Sequence, residues 1–322
     1  MMTQLGIQII PTMPVDEVIE TAVMAEKLGY DFCLLADEGF MPDVYVALGA
    51  IAQRTQRMKL GPVTNGYTRH PAVTATAIAT LDDLSGGRAL ATLVAGGSMV
   101  LNPMGIPREA PLTVMRETVA ILRALWRSEE VTWQGKRYAL QRARLHSQRR
   151  YDIPLWLAVR GEKMLELAGQ EADGVVLVAK SDVGPALAIV EQAATGRSTR
   201  CQRIYMDRIA YTPQLLEEAS ALYAYVLMDS PQRMLDGLGI RADEIAQIRQ
   251  AMATGGPKAA MPYVRPEMIQ RYQLAGTPEE CREAIQSLFA AYALDAFVMN
   301  VTTPGIEANR RLLTDICSIV RG

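Results

Sequence analysis

Asp37 and Glu38 stand side by side at the end of an apolar run, Phe32-Cys33-Leu34-Leu35-Ala36. A carboxylate pair in that place can supply a general acid or hydrogen-bond a polar heterocycle. The same pair can instead cap a helix or join a surface ion pair. Two other apolar runs end in residues that let backbone approach a ligand: Gly61-Pro62-Val63-Thr64-Asn65 and Ala95-Gly96-Gly97-Ser98. Glycine and proline permit or impose the unusual backbone such contact needs. Together they suit a flat, bulky ligand. A fourth candidate is Arg160-Gly161-Glu162-Lys163, a tight turn into a helix whose first N–H groups carry partial positive charge. It is either a phosphate site or an ordinary turn with a solvated Arg and Lys. Further polar residues at run ends are Gln8 with Pro11-Thr12, then Lys180-Ser181, then Asn300, Thr302 and Thr303.

These positions need a scaffold that gathers strand ends on one side. Apolar runs of strand length alternate with longer helical segments, which is the pattern of βαβ units. Strands are expected at 5–10, 32–37, 59–64, 89–95, 154–159, 174–179, 203–212 and 296–302. Helices are expected at 15–28, 43–55, 71–84, 111–127, 161–170, 183–195, from Thr277, and 305–320. Eight such units favour an α/β fold of the (β/α)8 TIM-barrel type, one domain over 1–322, whose chemistry sits at the C-terminal strand ends. Two departures from the alternation are read as insertions: a β-hairpin near 131–145 turning at Gln134-Gly135, and a helical segment near 214–275 interrupted by Gly-Gly-Pro at 255–257. The link at 99–110 reads as irregular.

Composition narrows the function. Half of the residues are hydrophobic and the net charge is only −2, which speaks against a nucleic-acid partner. No run is long enough for a membrane span, and the opening MMTQLGIQIIP lacks the pattern of a signal peptide, so a cytoplasmic enzyme acting on a small molecule is expected. Cys33, Cys201, Cys281 and Cys317 are scattered without a CxxC pair, and only His70 and His146 are present, so no metal site is expected. His70, in Thr-Arg-His-Pro at a helix start, reads as a cap; His146 lies in the basic stretch 141–151, which reads as a solvated loop. No GxGxxG follows a strand and no GxxxxGK[ST] exists.

Three blocks carry a resemblance: VTNGYTRHPAVTATAIATLDDLSGGRAL (63–90), PLWLAVRGEKMLELAGQEADGVVL (154–177) and AGTPEECREAI (275–285). In order and spacing the chain resembles the luciferase-like superfamily, and within it the coenzyme F420-dependent methylenetetrahydromethanopterin reductases. The resemblance implies a deazaflavin over the barrel mouth, with Asp37, Thr64, Asn65, Gly96 and Gly97 facing its ring and Gly161-Glu162-Lys163 at its phosphate. It implies a non-prolyl cis peptide near Gly61-Pro62-Val63 and a homodimer or higher homo-oligomer, for which the 111–127 and 305–320 helices offer apolar faces. These reductases usually carry Glu where this chain has Gln8, many F420 enzymes carry Asp-His where it has Asp37-Glu38, and the loop after strand 4 usually has Gly-Asp where it has Gly97-Ser98. Glu38 then takes the acid role, with Gln8 beside the acceptor. The implied reaction is hydride transfer between deazaflavin C5 and an electrophilic carbon: a C=N, an iminium or a conjugated C=C, a methylenetetrahydromethanopterin-like molecule among them. Two alternatives stay open: an FMN-dependent monooxygenase using O2, and a flavin-binding protein without catalysis.

Overall fold

The computed structural model describes residues 4–146 and 151–322, so part of the basic stretch at 141–151 lies outside the described residues. Its strands are β1 Gln4–Ile9, β2 Phe32–Ala36, β3 Lys59–Thr64, β4 Ala91–Val94, β5 Val131–Gln134, β6 Ala139–Ala143, β7 Leu155–Ala158, β8 Gly174–Leu177, β9 Gln202–Asp207 and β10 Ala296–Val301. All but β5 and β6 pair in parallel and close into a barrel in the order β1-β10-β9-β8-β7-β4-β3-β2. Strands of such a barrel are covered on both faces, so they read as unbroken apolar runs. β5 and β6 form the expected antiparallel hairpin.

The helices around the barrel are α1 Val15–Lys27, α2 Val44–Arg54, α3 Pro71–Ser85, α4 Ser98–Leu101, α5 Pro111–Arg127, α6 Glu162–Glu171 and α7 Val183–Ala193. The insertion follows as α8 Pro213–Met228, α9 Gln232–Gly237, α10 Ala242–Ala260 and α11 Pro266–Tyr272, and the chain ends with α12 Pro278–Tyr292 and α13 Ile306–Arg321. Local chemistry sets several starts. Asp43 caps α2 by accepting from the N–H groups of Tyr45 and Val46, and the ring Nδ1 of His70 accepts from Ala72 N–H at the start of α3. Thr277 and Glu280 form a capping box at α12, with Pro278 in its first turn.

Inside the barrel Phe32, Leu34, Val63, Trp156, Val176, Ile204, Met206 and Val298 pack together. The Trp156 ring has room because Gly174 faces it: a Cβ there would sit 2.5 Å from Trp156 Cδ1. The outward faces of the strands pack against the helix ring, and the insertion has a separate core including Tyr223, Leu227, Leu235, Ile248, Ile269 and Tyr272. α10 continues through residues 255–257, with Gly256 in a left-handed, non-helical conformation (φ 69°) marking the break that Gly-Gly-Pro announces.

Three expectations are corrected. The strand expected at 203–212 ends at Asp207. Its apolar alternation runs on because Ile209 and Ala210 stay buried beyond the strand, Ile209 in the main core and Ala210 exchanging backbone bonds with Leu274 and Gly276. Among the described residues no peptide bond is cis, so Gly61-Pro62-Val63 is trans throughout. Trans geometry keeps β3 in register with β2 through Leu34–Gly61, Leu35–Pro62 and Ala36–Val63, and lets Asp37 N–H reach Val63 O at 2.9 Å. Within the 99–110 link, the short helix α4 also replaces part of the irregular chain.

At Gly61 the chain passes so close to β4 that a Cβ would lie 1.6 Å from the Leu90 carbonyl oxygen. Gly61→Ala is therefore expected to lose stability at the top of the ~1–3 kcal/mol range of overpacking, read as a fall in the denaturant midpoint. An unchanged midpoint would mean that β3 and β4 separate there without loss.

Candidate active site

The C-terminal ends of the barrel strands meet in one rim, and the candidate residues fall on two arcs of it. β3, β4 and β7 are consecutive neighbours, and so are β9, β10, β1 and β2. The first arc presents mainly backbone. Asn65 is buried, and its side-chain oxygen is occupied by the N–H groups of Tyr67 (2.8 Å) and Thr68 (3.0 Å), which fixes the turn after β3. The hairpin supports this turn from behind: the Tyr138 hydroxyl donates to Gly66 O at 2.5 Å, while Glu117 accepts from the N–H groups of Lys136, Arg137 and Tyr138. Pro62 faces away from the barrel interior while Val63 closes the floor of the rim from inside.

After β4, Gly96 is left-handed (φ 76°), a conformation glycine adopts without strain. Gly97 faces open space, with only Asp229 Oδ2, at 4.0 Å, near its missing Cβ. After β7, Gly161 starts α6 with no side-chain cap, and a Cβ there would meet nothing within 4 Å. Exposed Glu162 and Lys163 follow. Free N–H groups at an open helix start can receive an anion.

Two residues read as cofactor contacts have other partners in the structure. The Arg160 guanidinium donates to Val226 O (3.2 Å), Ser230 Oγ (3.2 Å) and Asp229 O (3.3 Å), at the C-terminal end of α8 where a cation is favoured. The Ser98 hydroxyl donates to Asp229 Oδ2 at 2.9 Å. With the Arg233–Asp182 ion pair and the bond from Lys180 Nζ to Gln270 O (2.8 Å), they suspend the insertion from the rim.

The second arc presents side chains. Gln8 is buried and faces inward, two positions beyond Gly6, whose missing Cβ would meet Phe32 and Val298. Its partner in register is Asn300. At the β2 end, Asp37 accepts from the Thr64 hydroxyl (2.9 Å) and lies 3.5 Å from Arg69 Nε. Glu38 has neither: among the described residues no hydrogen bond or ion pair holds its carboxyl. Burial, and then the charge of Asp37, push it from 4.5 up to about 7. It is thus a carboxyl that keeps its proton close to neutrality, as a proton donor needs.

Sequence reasoning missed Arg208 and Gln273. Arg208 lies just beyond β9, hidden within a run read as strand to 212. The Asp207-Arg208 pair inside an apolar alternation was the available signal. Gln273 sits in the insertion, where nothing in its neighbours points to the rim.

A sequence model of the luciferase-like monooxygenase family matches residues 2–295, and the chain belongs to that family. It is 32% identical over 293 residues to a 5,10-methylenetetrahydromethanopterin reductase of Methanolobus tindarius, covering 88% of this chain and 90% of that one. Over 173 residues it is 32% identical to an F420-dependent glucose-6-phosphate dehydrogenase of Beutenbergia cavernae, covering 50% and 52%. The fold superposes on the coenzyme F420-dependent tetrahydromethanopterin reductase of Methanopyrus kandleri with a TM-score of 0.84 at 25% identity, covering 98% of each chain.

Glu38 generates a test that needs no substrate. In the unfolded chain its carboxyl ionises near 4.5, in the folded chain near 7. Between these values the native state holds the extra proton, so Glu38 lowers stability as pH rises through the window, and its full cost stands above it. Glu38→Gln is therefore expected to match the wild type below about pH 4.5 and to exceed it near pH 8, gaining up to about 1.4 kcal/mol per unit of separation. Urea midpoints at both pH values measure this; a pH-independent difference would place the Glu38 carboxyl in water.

Proposed function

We propose that this chain is an F420-dependent oxidoreductase that transfers a hydride between deazaflavin C5 and an electrophilic carbon of a small molecule. The observation that carries the reading is the division of the rim. One arc offers open backbone at Gly97, beyond the left-handed Gly96, and an uncapped helix start at Gly161; the other offers a proton-retaining Glu38. The relatives whose names specify F420 support the cofactor. When bound, the reduced deazaflavin supplies the hydride.

The chain's own residues supply the rest. The N–H groups of Gly161, Glu162 and Lys163 hold the phosphate, with the Lys163 charge beside them. Val63 and the backbone of Thr64, Asn65, Gly96 and Gly97 form a bed for the ring. Asp37, held by Thr64 and Arg69, borders the ring edge. Glu38 donates the proton, and Gln8 orients the acceptor. Arg160 and Ser98 act one step removed, by fixing the insertion that covers this part of the rim and excludes water.

We further propose self-association through α2 and α3. Val46 and Val73 on these helices, with nearby Phe40, are 72%, 54% and 77% exposed. α5 and α13, whose apolar faces offered a further possible interface, bury Val119, Leu122, Leu313 and Ile316. A cytoplasmic location accords with four unpaired cysteines, Cys33, Cys201 and Cys281 of them buried. Among the described residues no helix is long and apolar enough to cross a membrane.

Fluorescence titration with F420 and with FMN tests the cofactor. F420 is expected to bind, and Lys163→Glu to weaken it about tenfold, roughly 1.4 kcal/mol. Binding of FMN alone would overturn the proposal in favour of O2-dependent oxygenation.

A further inference from the structure

Met206 packs inside the barrel and pairs with Val298, so the next inward positions on these two neighbouring chains are Arg208 and Asn300. A cavity of about 70 Å³ opens at the ends of β9 and β10, and Arg208, Gln273, Asn300, Thr302 and Thr303 line it, with Glu218 in its wall. Three polar atoms of these residues are shielded from solvent and lack any hydrogen-bond partner: Arg208 Nε, Asn300 Oδ1 and Gln273 Nε2. Gln273 is fully buried, and its Oε1 is taken by the Tyr223 hydroxyl at 2.5 Å. A folded chain rarely leaves such atoms unpaired. The side chains that carry them line one cavity, and a ligand entering it with a small shift of these side chains would complete them.

The charge there is only partly balanced, since the Asp207 and Glu218 carboxyls lie near Arg208 without pairing with it. Among the described residues no ion pair holds the Arg208 guanidinium. The carboxylate of adjacent Asp207 is occupied by the Tyr205 hydroxyl (2.6 Å), Leu274 N–H (2.7 Å) and Arg208 backbone N–H (2.6 Å). Glu218 accepts from Gln214 at 2.9 Å. Burial lowers the pKa of Arg208, as expected of a cation with little compensation. Such a cation repels an acceptor that arrives positively charged, as an iminium does. It favours one on which negative charge grows during reaction.

We propose that the acceptor is a carbon–carbon double bond conjugated to a carbonyl, whose oxygen is seated by Arg208 and Gln273 Nε2. This rests on the hydride-transfer function above and narrows it to one acceptor class. A C–H bond forms at the β-carbon with the hydride from deazaflavin C5. The C=C electron pair shifts through the conjugated system, and the charge collects on the oxygen beside Arg208. The deazaflavin is oxidised and the acceptor reduced. The resulting enolate takes a proton at its α-carbon from Glu38, three strands round the rim, and the C=O re-forms. Glu38 regains its proton from solvent. Asn300 Oδ1, the one acceptor among the three unpaired atoms, is satisfied by an N–H or O–H next to the carbonyl.

Two measurements on the full chain test this. The first uses 4-nitrophenol as an enolate mimic, its ionisation followed by visible absorbance, with and without F420. The wild type is expected to lower the apparent pKa of the bound probe. Arg208→Gln should bind the phenolate about tenfold more weakly, and Arg208→Lys should recover part of that loss. F420 affinity, read by fluorescence, should be equal in all three proteins. The second measurement compares F420H2-dependent reduction of cyclohexenone and of a cyclic iminium salt. The enone should be the better acceptor, and Arg208→Gln should lower its kcat by about 100-fold without slowing the iminium. Phenolate affinity unchanged in Arg208→Gln, or an iminium preferred by the wild type, overturns the proposal. Failure to bind F420 overturns the function above instead, and the phenolate titration of the cofactor-free chain still decides this inference.

Discussion

Closure of the barrel depends on the pairing of its first and last strands. β1 and β10 run in parallel register from Gln4–Ala296 to Ile9–Val301, six residues without a slip. Without that ladder both strands would be open edges, and the rim would have no defined circumference. The same register places Gln8 beside Asn300. A slip of one residue would turn both side chains out of the barrel. The interior side chains keep the register tight: Phe32 and Trp156 stand with ring centroids 5.1 Å apart, in space left by Gly6 and Gly174.

The insertion depends on the rim rather than the reverse. It carries its own apolar core, yet its attachments are polar and spread over four strand ends. Ser98 after β4, Arg160 after β7, Asp182 and Lys180 after β8, and Asp207 at β9 all hold it. Most of these bonds join a charged side chain to backbone at or near a helix end, where orphan groups need partners. Two of the carboxylates, Asp182 and Asp207, are themselves buried, so breaking their bonds would leave a buried charge unpaired, and they hold the insertion firmly on the rim.

Repeating features were legible in the sequence. Eight apolar runs gave the strands, and Thr277-Pro278-Glu279-Glu280 or Asp43 gave helix starts, because each rests on local chemistry. What was not legible depends on distance. Nothing near Arg160 in the chain announces that its guanidinium meets the carbonyls of Val226 and Asp229. The inward turn of Arg208 was hidden because Ile209 and Ala210 stay apolar and buried beyond the end of the strand, Ile209 within the main core. The cis peptide expected at Gly61-Pro62-Val63 came from likeness alone, and the trans chain there satisfies its pairing with β2.

Glu38 and Arg208 stand at opposite ends of one four-strand arc, and burial acts on both. At Glu38, burial and the nearby Asp37 charge favour the neutral acid, so the proton stays until a base takes it. At Arg208 burial works against the charge too, but a guanidinium remains protonated at any physiological pH. It therefore keeps its positive charge, with Asp207 nearby but no ion pair among the described residues. One end of the arc thus holds a proton ready to leave, and the other holds charge ready to be met. An acceptor that gains negative charge on its carbonyl oxygen, and then a proton at the adjacent α-carbon, uses both groups in turn. An acceptor that enters as a cation satisfies neither, because it is repelled at Arg208 and, once hydride has neutralised it, leaves the Glu38 proton without a carbon to receive it.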